Sequence, residues 1–520
     1  MFLTYPKAAL AGLATILSIV TSTVSAQQVT LNSVDGTVSM SGELLSFDGE
    51  TYLLGMAIGE IAIDASQVVC EGDDCPVLVS NLTEFSIVGS SSIGADLMPA
   101  LIEVFALERG GDLEVTVSGE GNAVYNVLEP DGSVFASISV QSTNTVDGFT
   151  NLMAGDATIG MSSRRVSPNE VSAFEISNKG RMSSAAQERI LALDGVIIAV
   201  HPENPVKILS LEQMTAIFEG QITNWIEVGG NDAPIRLYRR NEASGTTATF
   251  SESVMVVGAR VFSSNSTILD TDGAVSDAVA NDPNGIGITS YAQERNADTV
   301  VIRSVCGELF EPSSFSIKTE EYPLTRRMYL YTARGEIPDV AKEFLEFVTS
   351  NSAQSIIENA GFIGQNPGRA TLDAQGRRLA QAIVSSSGRT ELLRLQDLTA
   401  IVLDAERLSF TLRYDANGEL DSRAMADIER LADMIRNGEF SSRQLLVFGF
   451  SDNAGAINSE LGATQDVAAA VRDAIVTVTG RANLGNVRIS PIGYGRLLPL
   501  GCNETLYGRT LNNRVEIWVK

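Results

Sequence analysis

The chain has 520 residues, with 37 Lys and Arg against 64 Asp and Glu, a formal net charge of −27. This balance excludes nucleic acid as a general partner, because holding a phosphate backbone needs a basic face. The length predicts roughly three or four domains, and the single histidine, His201, with four cysteines leaves no material for a His-rich zinc site or a Ser-His-Asp triad.

Residues 1–26 come first and stand apart. Lys7 precedes an uncharged run, residues 8–26, and Val24-Ser25-Ala26 offers small residues before a cut. The pattern is that of a cleaved secretory signal; a retained anchor is the alternative, and the run is short for a full span. A signal places the mature chain in the periplasm or cell envelope. In that oxidising compartment Cys70 and Cys75, in CEGDDC, are expected to close a small disulfide, with a metal pair as the weaker alternative, while Cys306 and Cys502 stay open between free thiols and a long-range bridge. Residues 27–83 read as short strands separated by Asp35-Gly36 and Asp48-Gly49 turns, a small β module without chemistry.

From 84 to 366 apolar strands alternate with amphipathic helices, as in FSIVG followed by ADLMPALIEVFALE. The rhythm predicts an α/β fold with mostly parallel strands, and the length predicts two lobes. Three strand ends in this region carry hydroxyls. The first delivers Ser90, Ser91 and Ser92 to a helix start; the second, IGMSSRR, carries Ser163 and Arg164; the third runs from Arg240 and Glu242 into Ser244, Gly245 and Thr246 before another helix. Free N–H groups at a helix start, with hydroxyls and a guanidinium, suit an oxyanion. Ordinary N-capping or a solvated loop explains any one of them alone, but three in one two-lobed unit can converge on a cleft. Residues 367–397 read as a helical linker, and 398–520 as an α+β unit able to fold by itself.

Over residues 84–366 the sequence resembles the PstS-like phosphate-binding proteins of ABC transporters. The matching features are LEQMTAIFEGQITNW, then Arg240-x-Glu242-x-Ser244-Gly245-Thr246, with GSSSIG, IGMSSRR, NGIGITSY and YPLTRRMYLYT in the family's order. The resemblance implies a two-lobed periplasmic-binding-protein fold holding a tetrahedral anion between its lobes. Ser90, Ser91 and Ser92 would serve one lobe, and Arg240, Ser244, Gly245 and Thr246 the other, with Glu242 orienting Arg240. Ser163 stands where many relatives place an aspartate that accepts the proton of hydrogen phosphate, and Arg164 beside it would raise oxyanion affinity generally.

Residues 400–520 resemble OmpA-like peptidoglycan-binding domains through Gly449-Phe450-Ser451-Asp452, Asn458-x-x-Leu461, Gly493-Tyr494-Gly495 and Asn512-Asn513-Arg514-Val515-Glu516. The resemblance assigns wall-peptide contacts to Asp452, Asn458, the position of Gln465 and Arg514. Gln465 replaces the family's arginine, and a neutral amide does not reproduce a guanidinium fork. The sequence is therefore expected to encode an exported, non-enzymatic receptor for phosphate or a related oxyanion, without metal or cofactor. Peptidoglycan and an ABC permease are its expected partners. Two other readings compete: a cell-envelope structural or adhesion protein on a degenerate binding-protein scaffold, and a carboxylate-and-metal phosphoesterase, which lacks any ligand cluster at metal spacing.

Overall fold

The computed structural model describes residues 28–520 except 34–36, 48–50, 58, 73–74, 76–82, 120, 185, 256–259, 387, 415–419, 421 and 453–454. The expected signal, and the Asp35-Gly36 and Asp48-Gly49 turns, lie outside the described residues. The chain forms two compact units, Met1–Asn81 and Leu82–Lys520.

The first unit is an antiparallel sheet of β1 (Gln28–Ser33), β2 (Ser39–Phe47), β3 (Thr51–Met56), β4 (Gly59–Asp64) and β5 (Val68–Glu71), in the order β4-β3-β2-β1-β5. Alternation along β1 and β3 turns Val29, Leu31, Tyr52 and Leu54 to one face, where they pack with Val68. A disulfide joins Cys70 to Cys75, with an S–S distance of 2.05 Å.

The second unit begins with a lobe built from β6 (Thr83–Ser90), α1 (Ser91–Gly94), α2 (Leu97–Glu108), β7 (Leu113–Gly119), β8 (Asn122–Leu128), β9 (Val134–Thr143), α3 (Thr145–Ala154), β10 (Ile159–Ser162) and α4 (Pro168–Ile176). The long strand β11 (Glu188–Val200) leads into a second lobe. That lobe holds β12 (Ile208–Ser210), α5 (Leu211–Glu219), β13 (Arg236–Arg239), α6 (Gly245–Phe250), β14 (Thr267–Ile268), α7 (Asp272–Ala280), β15 (Gly285–Ser290), β16 (Asp298–Thr299), β17 (Val301–Arg303), β18 (Leu309–Phe310) and α8 (Ser314–Lys318). Strand β19 (Thr325–Tyr331) returns to the first lobe, which α9 (Asp339–Phe347) and α10 (Asn351–Asn359) complete.

Each lobe has its own core, and the interlobe strand β11 feeds both, while β19 feeds the first. Leu191, Ala192, Met328 and Leu330 pack in the first core; Leu193, Val196, Ile198 and Val200 pack in the second. Strand order is β14-β13-β15-β11-β19-β10-β6-β9-β8-β7. The sheet is mixed rather than mostly parallel. Its β10-β6-β9 and β14-β13-β15 segments are parallel, but β11 pairs antiparallel with both β15 and β19, and the β7–β8 hairpin adds an antiparallel edge.

The remainder contains β20 (Arg369–Ala370), α11 (Gly376–Ser385), α12 (Arg389–Val402), β21 (Glu406–Leu412), α13 (Ser422–Arg436), β22 (Gln444–Phe450), α14 (Ile457–Thr479), β23 (Arg488–Gly495), α15 (Leu506–Asn512) and β24 (Arg514–Val519). Its sheet, β20-β21-β24-β22-β23, is covered on both faces. Leu445 and Val447 pack with α13 and α14, whereas the alternate residues Leu446, Phe448 and Trp518 pack with Leu379, Leu395 and Leu398. Residues 367–397 are thus helical but no linker. The apolar faces of α11 and α12 close one side of the C-terminal sheet, which would otherwise be exposed.

This C-terminal fold is anchored to the second lobe. A disulfide joins Cys306 to Cys502. Arg407, fully buried, donates to Glu321 and lies 3.3 Å from Glu516, and Arg423 pairs with Glu320. Burial alone would raise the carboxyl groups of Glu320 and Glu516. The guanidinium groups of Arg423 and Arg327 around the first, and of Arg378, Arg407 and Arg514 around the second, outweigh it and hold both well below the usual carboxylate range. Arg430 of α13 donates to Gln365 Oε1, and Gln365 Nε2 donates to Ile190 O at 2.8 Å, at the irregularity in the β11–β19 pairing.

Candidate functional site

The ends of β6 and β10 and the starts of α3, α6 and α7 meet between the lobes. Strand β6 carries Gly89 one residue before its end, where a φ of +138° suits glycine and a Cβ would fall 2.2 Å from Met161 O. The chain can therefore turn tightly against β10 and present Ser90, Ser91 and Ser92. Ser90 is buried and caps α1 without a side-chain hydrogen bond. Across the cleft, Ser244 caps α6 by accepting from Thr246 N at 3.2 Å. Gly245 follows it, and a Cβ there would lie 2.0 Å from Ser163 Oγ and 3.0 Å from Thr145 Oγ1. The lobes can approach this closely only because residue 245 has no side chain.

Two guanidinium–carboxylate pairs organise the cleft. Arg240 Nη2 donates to Ser91 Oγ at 2.8 Å, and its Nη1 lies 3.5 Å from Asp272 Oδ2. Ser92 Oγ donates to the same Asp272 oxygen at 2.6 Å. Arg326 donates from Nε and Nη2 to Asp194 Oδ2, at 2.9 and 2.7 Å, and from Nη1 to Thr246 Oγ1 at 2.8 Å. Asp194 and Arg326 sit directly opposite each other on β11 and β19, so this pair lies on the interlobe strands. Asp194 also accepts from Ser290 Oγ and Ala292 N. Ser163 is fully buried; its N–H donates to Thr145 Oγ1 at 3.1 Å, and its hydroxyl lies 3.2 Å from that same oxygen. Ser91–Arg240, Ser92–Asp272 and Gln293–Asp96 all bridge the lobes, so the cleft is closed.

The Asp194 and Arg326 charges are internally satisfied, whereas Arg240 Nε and Asp272 Oδ1 are buried without a hydrogen-bond partner. Buried polar atoms of this kind are costly unless a ligand meets them. The cleft thus offers an oxyanion donors from Arg240, hydroxyls from both lobes, and one bare carboxylate oxygen. Among the described residues no nucleophile–base couple accompanies them. His201 is elsewhere, its Nδ1 accepting from Glu203 N in a turn.

Two residues expected at this site are not part of it. Arg164 turns to α4, where it donates to both oxygens of Glu170 at 2.8 Å and packs 5.3 Å from the Phe149 ring. That hydrogen-bonded pairing raises the Arg164 pKa, and Glu170 is simultaneously the N3 member of the Ser167 capping box. Glu242 is mostly exposed and pairs with Arg239 at 2.8 Å, not with Arg240. The acid beside Arg240 is Asp272, from a helix start more than thirty residues on. Sequence reasoning also passed over Asp194, Arg326 and Thr145. Asp194 carried a usable signal, as an acid within the apolar run LALDGVIIAV, because a buried strand charge demands a partner.

In the C-terminal fold two of the expected wall contacts are consumed internally. Gln465 donates from Nε2 to Pro491 O at 3.0 Å and accepts from Gly493 N at 2.9 Å, which ties α14 to β23. Arg514 is buried, donating to Glu516 Oε1, Leu498 O and Asn512 O, with its guanidinium 4.2 Å from the Phe450 ring centre. Neither is free to hold a ligand. Asp452 is half-buried, its N–H held by Asn513 Oδ1 at 2.9 Å, and Asn458 is exposed at the start of α14.

A PBP superfamily domain matches residues 81–352, more than half of the chain. The chain belongs to the PBP superfamily. Within this superfamily, its PstS-like domain is 31% identical over 244 residues to phosphate-binding protein PstS of Bacillus subtilis, spanning 47% of this chain and 76% of that protein. It is 27% identical over 290 residues to PstS of Pseudomonas aeruginosa, spanning 52% and 82%. An ABC-type phosphate transport receptor of Vibrio cholerae aligns structurally with a TM-score of 0.41 and 24% identity, over 54% of this chain and 99% of that one. Among the described residues no helix is long and apolar enough to cross a membrane.

Proposed function

We propose that this PBP superfamily member is an exported, non-enzymatic receptor that closes its two lobes around inorganic phosphate and delivers it to an ABC permease. The observation that carries this reading is the pair of buried atoms without partners, Arg240 Nε and Asp272 Oδ1, in a cleft that joins Ser91, Ser92, Ser163, Gly245 and Thr246. Membership of a family whose relatives are phosphate-binding proteins supports the choice of anion. The acidity of the whole chain does not oppose it, since exposed charges are screened beyond about 8 Å at physiological salt.

Asp272 takes the part that Ser163 cannot. A bare carboxylate oxygen accepts the proton of hydrogen phosphate, whereas fully ionised sulfate would meet it lone pair to lone pair. Asp272→Asn adds a donor at that point. In calorimetric titrations it is expected to weaken phosphate binding and to strengthen sulfate binding, changing their ratio by about a hundredfold, or about 2.7 kcal/mol. An unchanged ratio would remove Asp272 from the selectivity argument.

The C-terminal fold is proposed to be an OmpA-like domain that holds the receptor at the cell wall. With Gln465 and Arg514 consumed, Asp452 is the group left to accept from the ammonium end of a wall peptide. Co-sedimentation with purified peptidoglycan is expected to retain the chain and to release Asp452→Ala. No retention of the unaltered chain would reduce this domain to a structural role.

A further inference from the structure

Among the described residues strand β7 is the outer edge of the long sheet, paired only with β8. Every residue from Glu114 to Gly119 is exposed, including Val115 at 49% and Val117 at 72%. Proteins usually blunt such an edge with lysine, proline or a charge that points inward. This hairpin, residues 113–128, contains no Lys, Arg or Pro, and its charges are Glu114 and Glu120. It is a nearly uncharged stretch on a strongly acidic chain. The one register shift against β8 falls between Val117 and Gly119, leaving Leu113–Val117 regular. Beside the edge, a groove of about 420 Å³ runs between β7 and α2, lined in part by Pro99, Leu107, Leu113, Val115 and Tyr125. Leu107, 57% exposed, extends the apolar surface.

We infer that β7 pairs antiparallel with β7 of a second copy, on a two-fold axis through Thr116. The run Val115-Thr116-Val117 is self-complementary in that register. Val115 faces the other copy's Val117, twice, and Thr116 faces Thr116, all within the regular stretch of the strand. Opposed β-branched pairs and a Thr–Thr pair are favourable cross-strand neighbours, and no charged residue lies among them. The axis stands perpendicular to the sheet, so the apolar faces of both edges and both α2 grooves lie on the same side, and the two sheets become one. A foreign strand could use the same backbone groups, but the symmetric side-chain match is specific to this chain's own sequence. An interface of one strand pair is small, so the dimer is weak, with Kd on the order of 10–100 µM at about 0.15 M salt.

The register makes the test specific. Sedimentation velocity of the exported chain over a concentration series is expected to show reversible dimerisation. Thr116→Lys sets two lysines against each other on the axis and should raise Kd about tenfold. Thr116 is exposed, so the change does not threaten folding. A chain that stays monomeric to several hundred µM, on the order of ten times the expected Kd, overturns the inference. So does a dimer that ignores Thr116→Lys.

Discussion

Arg240→Ala is expected to weaken phosphate binding by at least a hundredfold while the chain still folds, because Asp272 keeps its hydrogen bond from Ser92. Arg240 is the guanidinium with spare capacity: one hydrogen bond at 2.8 Å to Ser91, a longer approach of 3.5 Å to Asp272, and Nε unpartnered. Hydrogen bonds to charged groups contribute about 1.5–3 kcal/mol each, and losing two from a bidentate clamp removes about 3 kcal/mol or more. Arg240→Lys should recover little, because an ammonium cannot offer two parallel donors. Arg326→Ala should behave differently. Its guanidinium is spent on Asp194 and Thr246, at the point where β11 and β19 cross between lobes, so its loss strands a buried carboxylate and appears first as lower thermal stability. Calorimetry and unfolding measured on both variants separate a binding residue from a scaffold residue.

Arg407→Ala is expected to destabilise the Leu82–Lys520 unit by about 3–5 kcal/mol, the cost of leaving buried carboxylates uncompensated. Arg407 lies between Glu321 of the second lobe and Glu516 of the C-terminal sheet, and both Arg407 and Glu516 are fully buried. The same cluster predicts a direction with pH. Glu516 and Glu320 are held below the usual carboxylate range in the folded chain. Their contribution is therefore complete above the unfolded carboxyl pKa, about 4.3, and is lost as pH falls below it towards the folded value. Denaturant unfolding at neutral pH and near pH 3 should show the unaltered chain losing stability on acidification. Glu516→Gln, already weaker at neutral pH, should lose less.

The local parts of the cleft were legible in the sequence because they are local. A strand ending in small hydroxyl residues before a helix places Ser91, Ser92, Ser244 and Thr246 by backbone geometry alone. The charged partners were not, since a guanidinium chooses among acids that only the tertiary fold brings near. Glu242 is close to Arg240 in sequence, yet Arg239 takes it, and Asp272 comes from another helix start. The fate of Arg164 was readable in hindsight from Ser167-Pro-Asn-Glu170, a capping-box pattern that fixes Glu170 within its reach. The same contrast runs through the C-terminal part. The unbroken apolar run LLVFGF implied a strand covered on both faces, and reading residues 367–397 as a linker left one face without the cover that Leu379, Leu395 and Leu398 supply.

Calorimetric titration of the anion-free chain with phosphate, and separately with sulfate, addresses the central claim most directly. Tight binding of phosphate with sulfate at least about a hundredfold weaker, or about 2.7 kcal/mol, is the predicted result. Silence towards both anions from folded protein would contradict the receptor assignment and leave the closed cleft as a structural feature of an envelope protein.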